Sequence, residues 1–269
     1  MKGLFAPKLA LVVSTNATSF QALQQGGSLA DSLAMASKLG YDGVELAVRD
    51  PALVDWKTVE AMLSRMHLAV PAIGTGQAYL DDGLSLTSPD ETNRRKAVER
   101  FRSHLALGER LGSAVILGLI RGGREGDVSA RAKRLMQSLR ECADAMHTPV
   151  LIEPLNRYEC DLLENIRTLT HFLDELNLPQ VGILFDTFHA NIEEPSLEAS
   201  LLFARRHLKH VHFADSNRLY PGGGHTDFYG FLRTLGMIGY DGWISMEMLP
   251  LPTPEEAAAK AIQHIRNFF

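Results

Sequence analysis

Short apolar runs recur along the chain at 9–13, 44–48, 68–73, 114–119, 150–152, 181–185, 210–213 and 243–246, each bounded by turn residues. They are continuous rather than alternating, the pattern of strands buried on both faces of a parallel sheet. Longer segments with helical spacing lie between them. Residues 28–39 place Leu29, Leu33, Ala36 and Leu39 on one stripe, and 90–111 and 129–146 are two more such segments. Gly40, Gly112 and Gly236 follow three helical patterns, where a helix end favours a residue at positive φ. The string Gly40-Tyr41-Asp42-Gly43 reappears as Gly239-Tyr240-Asp241-Gly242, each copy leading into a strand. It is a weak echo of a repeated helix-to-strand unit.

Strands alternating with helices fit a doubly wound sheet or a closed barrel. No GxGxxG follows the first strand and no P-loop is present. The expected fold is therefore α/β, a (β/α)8 TIM barrel, as a single domain over 1–269. In such a barrel the irregular stretches 75–89, 122–127 and 217–224, each after a strand, lie on the catalytic rim. Lys2 precedes the run 9–13, which is too short for a signal-peptide core and reads as a first strand. No run approaches the ~18–20 apolar residues of a membrane span.

Composition narrows the function classes. The 269 residues are 45% apolar, enough for one sizeable core. The balance of 27 basic to 32 acidic residues, net −5, lacks the basic footprint of a nucleic-acid binder. Cys142 and Cys160 form no CxxC pair. That argues against a disulfide framework or zinc knot and fits a reducing cytoplasm. No nucleic-acid or membrane partner is expected.

The chemistry gathers at the ends of the last four runs, Val-Leu-Ile-Glu153, Gly-Ile-Leu-Phe-Asp186, His-Val-His212 and Ile-Ser-Met-Glu247. The gaps between these residues are 33, 26 and 35, each about one βα unit. In a barrel, side chains at strand C-termini converge on the axis at the catalytic face. One such glutamate alone would be an ion-paired or capping residue. Three buried carboxylates converging without a cation would repel one another. Three carboxylates and an imidazole suit one divalent ion, Mn²⁺ in first place, with Mg²⁺, Co²⁺ or Zn²⁺ as alternatives.

These segments resemble the xylose-isomerase-like TIM-barrel superfamily of sugar phosphate isomerases and epimerases, and within it the ketose 3-epimerase branch. The matching strings are Ile152-Glu153-Pro154-Leu155-Asn156-Arg157-Tyr158-Glu159, residues 185–194 (Phe-Asp-Thr-Phe-His-Ala-Asn-Ile-Glu-Glu), residues 212–218 (His-Phe-Ala-Asp-Ser-Asn-Arg) and Glu247. The segments 47–51, 72–79, 82–87, 118–122 and 221–225 are similar to the 5-keto-L-gluconate epimerase type.

The resemblance implies an isomerase that inverts the carbon next to a ketone through an enediolate. Glu153 and Glu247 would both ligate the metal and move the proton, with Asp186 and His212 as ligands only. His189 and Arg218 would hydrogen-bond the reacting oxygens, and Glu159 would orient the sugar near C1. The implied substrate is a keto-uronate of the 5-keto-L-gluconate and D-tagaturonate kind. A homo-oligomer, dimer or tetramer, is implied too. Arg49, Gln77 and Arg121 follow strands two, three and four and are expected at the mouth, where a guanidinium can clamp a carboxylate.

Each assignment has a structural counterpart. His189 would pack on the next helix, Arg218 would pair with Asp215, Arg49 with Asp50 or Asp55, and Arg121 with Glu125. His225 beside Asp227 on the last rim loop is a weaker substrate candidate. The histidines at 67, 104, 147, 171, 207 and 264 read mostly as surface groups, and Arg94-Arg95-Lys96 as a solvated helix face. Competing functions on the same fold are an inosose dehydratase or a hydroxypyruvate-type aldose–ketose isomerase, which product stereochemistry distinguishes. An apurinic endonuclease-like phosphodiesterase would need histidines at the third and fourth strand ends. Those read Ile73-Gly74-Thr75-Gly76 and Leu117-Gly118-Leu119. A sugar-binding module without catalysis would have no use for both glutamates.

Overall fold

The computed structural model describes residues 7–16, 27–124 and 126–269, so Lys2 and Glu125 lie outside the described residues. Eight parallel strands close into a barrel in sequence order. They are β1 (Lys8–Ser14), β2 (Gly43–Ala47), β3 (Ala72–Gly74), β4 (Ala114–Leu117), β5 (Val150–Ile152), β6 (Val181–Asp186), β7 (Leu208–Phe213) and β8 (Trp243–Met246). The ring closes where β1 pairs with both β2 and β8. Continuous burial along β2, β5 and β6 matches strands enclosed on both faces. The third strand is shorter than its apolar run. Pro71 has no N–H to give, and residue 69 makes only an isolated bridge to Gly43.

The helices start and stop where the sequence signals them. Ser28 caps the helix Leu29–Leu39 in a reciprocal capping box with Asp31, and Gly40 ends it at φ 82°. Asp90 caps Glu91–Leu111, and Gly112 ends it at φ 65°. The third helix stops at Glu141, earlier than its periodicity suggests, and a 3₁₀ turn over Ala143–Ala145 follows. Gly236 lies inside the helix Phe228–Met237, and Gly239 takes the positive φ instead. The two Gly-Tyr-Asp-Gly copies therefore play the same part, leading into the two strands that flank β1.

Two polar groups expected at the surface are buried. His104 is fully enclosed, with its ring nitrogens 2.8 Å from the Arg100 and Val48 carbonyl oxygens. Arg94 is buried between Glu91 and Glu141, at 2.7 and 3.0 Å. Among the described residues no helix is long and apolar enough to cross a membrane.

One irregularity matters for the site. Ile183 pairs with Leu208, but Leu184 pairs with His210, so Lys209 is an extra residue on β7. The bulge brings Asp186 opposite His212. Without it Asp186 would face Val211, one step out of phase and on the other side of the sheet. Gly182 makes room for this, because a Cβ there would stand 2.7 Å from the His207 carbonyl oxygen and 2.5 Å from Lys209 Cδ. Backbone cannot yield as a side chain can. Gly182→Ala should therefore destabilise the protein by about 1–3 kcal/mol, the usual range for overpacking, as measured by denaturant unfolding. A variant as stable as the parent would remove the bulge's dependence on this glycine.

Candidate active site

Glu153 and Glu247 each stand one residue past a strand, β5 and β8, while Asp186 ends β6 and His212 is next to last in β7. Their side chains meet over the barrel mouth. His212 Nδ1 lies 3.6 Å from Glu153 Oε1, 3.7 Å from Asp186 Oδ2 and 3.8 Å from Glu247 Oε2. Asp186 also caps the following helix, its Oδ1 accepting from the N–H groups of Phe188 and His189 at 2.7 and 2.9 Å. That leaves Oδ2 for the centre.

Three buried atoms at this centre have no hydrogen-bond partner, Glu153 Oε1, His189 Nε2 and His212 Nδ1. Glu153, Asp186, His189 and Glu247 bring ligand-capable atoms within 4.8 Å of one another, and Glu45, His210 and His212 form a second such group. Either His189 or His212 could supply the nitrogen, and hydrogen bonding decides between them. His189 Nδ1 receives the backbone N–H of Asn156 at 3.2 Å and stands 2.8 Å from the Asn156 amide nitrogen. Nδ1 is therefore an acceptor, the proton is on Nε2, and His189 faces the cavity as a donor. His212 is the reverse. Its Nε2 faces the Glu45 carboxylate at 3.0 Å, so Nδ1 is the nitrogen free to ligate. Unpartnered carboxylate oxygens and one imidazole lone pair are a donor set that fits a divalent cation.

Ionisation reflects the crowding. Burial and the neighbouring Glu153 carboxylate push Glu247 up to about 8, and burial also raises Asp186. Burial pushes Glu153 up as well, but the nearby charge of His212 outweighs it and leaves the group below its usual value. Burial alone would lower His212, yet the charge of Glu45 and the surrounding carboxylates raise it well above the ordinary imidazole range.

The cavity above the cluster is lined by Gln77, Glu159, His189 and Arg218 with apolar groups such as Leu80 and Leu155. Arg218 takes a left-handed φ of 63° at a rim-loop turn. Its guanidinium bonds Glu159 at 2.8 Å, approaches Glu247 to 3.6 Å and covers the Phe188 ring at 4.8 Å. The Asp215 carboxylate holds the loop rather than the Arg218 guanidinium, accepting backbone N–H groups from Ser216, Gly222 and Thr226. His225 stays exposed, 2.9 Å from Ser216 Oγ, and Asp227 caps the next helix.

Of the three residues expected at the mouth, only Gln77 reaches the cavity. It is buried, with its amide nitrogen 2.6 Å from Ser14 Oγ. Arg49 is bound to Asp82, which Arg100 shares, and not to Asp50 or Asp55. Arg121 is fully buried behind the wall. It donates to the backbone oxygens of Glu153 at 2.6 Å and Leu162 at 3.2 Å. Glu125 lies outside the described residues. Arg49 is spent on the scaffold, and so is Arg121 apart from Nη2, which is buried without a partner.

Sequence reasoning missed Glu45 and His210. Each carried a signal. Glu45 is a charge in the middle of an enclosed strand, and His210 precedes His212 by two, on the same face of β7.

The matched family model is described as "Xylose isomerase-like TIM barrel" and covers residues 33–268. A ketose 3-epimerase of Arthrobacter globiformis is 30% identical over 223 residues, 80% of this chain and 76% of that one. An L-ribulose 3-epimerase of Methylomonas sp. is 31% identical over 223 residues, 80% of this chain and 77% of that one. The crystal structure of D-allulose 3-epimerase from Methylomonas sp. superposes with a TM-score of 0.82 at 24% identity, covering 99% of each chain, a likeness of fold.

The two arginines predict contrasting phenotypes. Arg49→Ala should leave stability nearly unchanged, since its ion pair is partly exposed. Arg121→Ala should cost about 3 kcal/mol or more, because several buried carbonyls lose a charged donor. Urea unfolding of both variants measures the difference, and equal losses would contradict the assignment.

Proposed function

The chain belongs to the xylose isomerase-like TIM barrel family, as an isomerase with ketose 3-epimerases among its relatives, and from that premise we propose a metal-dependent epimerase that inverts the carbon beside the ketone of a ketose or keto-uronate. The observation that carries this reading is the convergence of Glu153, Asp186 and Glu247 on the unpartnered Nδ1 of His212. These four residues would hold one divalent ion, Mn²⁺ in first place. Such an ion stabilises the negative charge that grows on the ketone oxygen when the adjacent carbon loses its proton.

The remaining chemistry belongs to the side chains. Glu153 and Glu247 enter from β5 and β8 and serve as the paired bases, one removing the proton and the other returning one to the opposite face. His189, with its proton on Nε2, and Arg218 donate to the substrate's oxygens. Glu159, held by Arg218 and within 3.3 Å of the Asn156 amide, orients the sugar end near C1.

The finer substrate is a keto-uronate of the 5-keto-L-gluconate and D-tagaturonate kind, supported by the resemblance of the segments 47–51, 72–79, 82–87, 118–122 and 221–225 to the 5-keto-L-gluconate epimerase type. Arg218 is the one arginine or lysine among the described lining residues and stands at the glutamate end. Recognition of the far end therefore falls to Gln77 and Thr75, which are neutral. Assay of a keto-uronate and of tagatose with Mn²⁺ present, with products identified by NMR, tests the reading. An epimer is expected. A dehydrated product or an aldose would replace it with the dehydratase or the aldose–ketose isomerase.

Asp186→Asn and His212→Ala should each lose most of the bound metal, measured by plasma emission on the purified protein. Affinity should also fall with acid. Glu247 and His212 are both raised in the metal-free chain, so below about pH 8 an ion must displace protons from them. Titration between pH 8 and pH 6 should show apparent affinity dropping by about tenfold per unit for each proton released. A flat profile would contradict the ligand assignment.

Glu153→Gln and Glu247→Gln should each lower kcat by about 10²–10⁴-fold or more. Turnover in D₂O should put deuterium on the inverted carbon. Epimerisation without solvent deuterium would exclude exchange through the two carboxylates.

A further inference from the structure

One buried carboxylate has no part in the steps above. Glu45 projects from the middle of β2, is 1% exposed and reaches across the barrel to β7. Its Oε2 stands 2.9 Å from His210 Nε2, and both of its oxygens lie 3.0 Å from His212 Nε2. His210 Nε2 is also 3.0 Å from Ser245 Oγ on β8. We infer that Glu45 is a positioning residue, which keeps the proton of His212 on Nε2 and thereby presents the Nδ1 lone pair to a cation between Glu153, Asp186 and Glu247.

An imidazole with one proton places it on either nitrogen. Three carboxylates surround Nδ1 at 3.6–3.8 Å, and each attracts the proton to that side. With the proton there, His212 cannot ligate. A stronger acceptor on the far side of the ring must compete for it, and Glu45 is in contact with Nε2. An ionised carboxylate only accepts, so the nitrogen facing it must be the donor. His210 holds the carboxylate from the side, its Nε2 also standing 3.0 Å from Ser245 Oγ. The charge cannot be replaced by an amide without conflict. Oε2 is shared by the two rings while Oε1 faces His212, so a glutamine would set its NH₂ against a ring N–H. Hydrogen-bond partners of this kind, one step removed from a metal, typically change metal affinity by about 10–100-fold when mutated.

The inference rests on the metal site proposed above. The experiment measures Mn²⁺ affinity of the wild type and of Glu45→Gln by competition with a chelator. Circular dichroism and thermal unfolding of the metal-free proteins serve as the check on folding. Affinity weaker by about 10–100-fold in a folded variant is expected. The ¹⁵N spectrum of the histidines in the Zn²⁺-loaded wild type needs no variant and should show His212 protonated on Nε2 and ligating through Nδ1. Ligation through Nε2, or Mn²⁺ binding by Glu45→Gln within about twofold of the wild type, would overturn the assignment of Glu45 and leave the metal site standing. A wild type that binds no divalent ion would overturn both.

Discussion

Like charges confined away from water govern this molecule. Glu153, Asp186 and Glu247 point their oxygens at one imidazole nitrogen at the floor of the cavity, the first two buried and Glu247 nearly so. Coulomb repulsion among carboxylates grows as the local dielectric falls, so the surroundings must answer it. They do so in layers. His212 stands at the centre, Arg218 approaches Glu247 from the rim, and the Phe188 and His189 amides hold one oxygen of Asp186. What remains is a donor set still short of positive charge, and that shortage is the basis for assigning a cation to it.

The barrel supplies the rigidity that such an arrangement demands. Carboxylates on flexible loops would separate and hydrate. Here each is tied to a strand end, and the main chain behind them is fixed from outside. Arg121 clamps the Glu153 carbonyl to the neighbouring loop. Arg131, buried as well, bonds Asp161 and the Gly123 carbonyl in the same wall. The rim loop that carries Arg218 in its left-handed turn is organised around Asp215. Burial pushes the Asp215 carboxyl up, but the amides of Thr226, Ser216, Gly224 and Gly222 outweigh it and keep the group below its usual range.

Arginine in this chain is more often scaffold than substrate clamp. Arg49, Arg94, Arg121 and Arg131 all bind carbonyls or carboxylates of the protein itself. The cavity at the barrel mouth is lined instead by glutamates, one histidine donor, one arginine and neutral groups such as Gln77. Such a lining suits a polyhydroxylated ligand bound through many hydrogen bonds.

Much of this was legible in the chain. Runs enclosed on both faces and capped helices between them specify a parallel α/β barrel, because burial and backbone hydrogen bonding are local demands that side-chain pattern states directly. The spacing of Glu153, Asp186, His212 and Glu247 at successive strand ends followed from the same periodicity. Three things were decided only by the tertiary structure. The bulge at Lys209 sets the register that faces Asp186 with His212, and register depends on how two distant strands meet. The contact of Glu45 with His212 spans 167 positions and arises only when the ring closes. The direction of a long side chain such as Arg49 or Arg121 is settled by whichever acceptor lies within reach, and neither the strand it follows nor its charge foretells that.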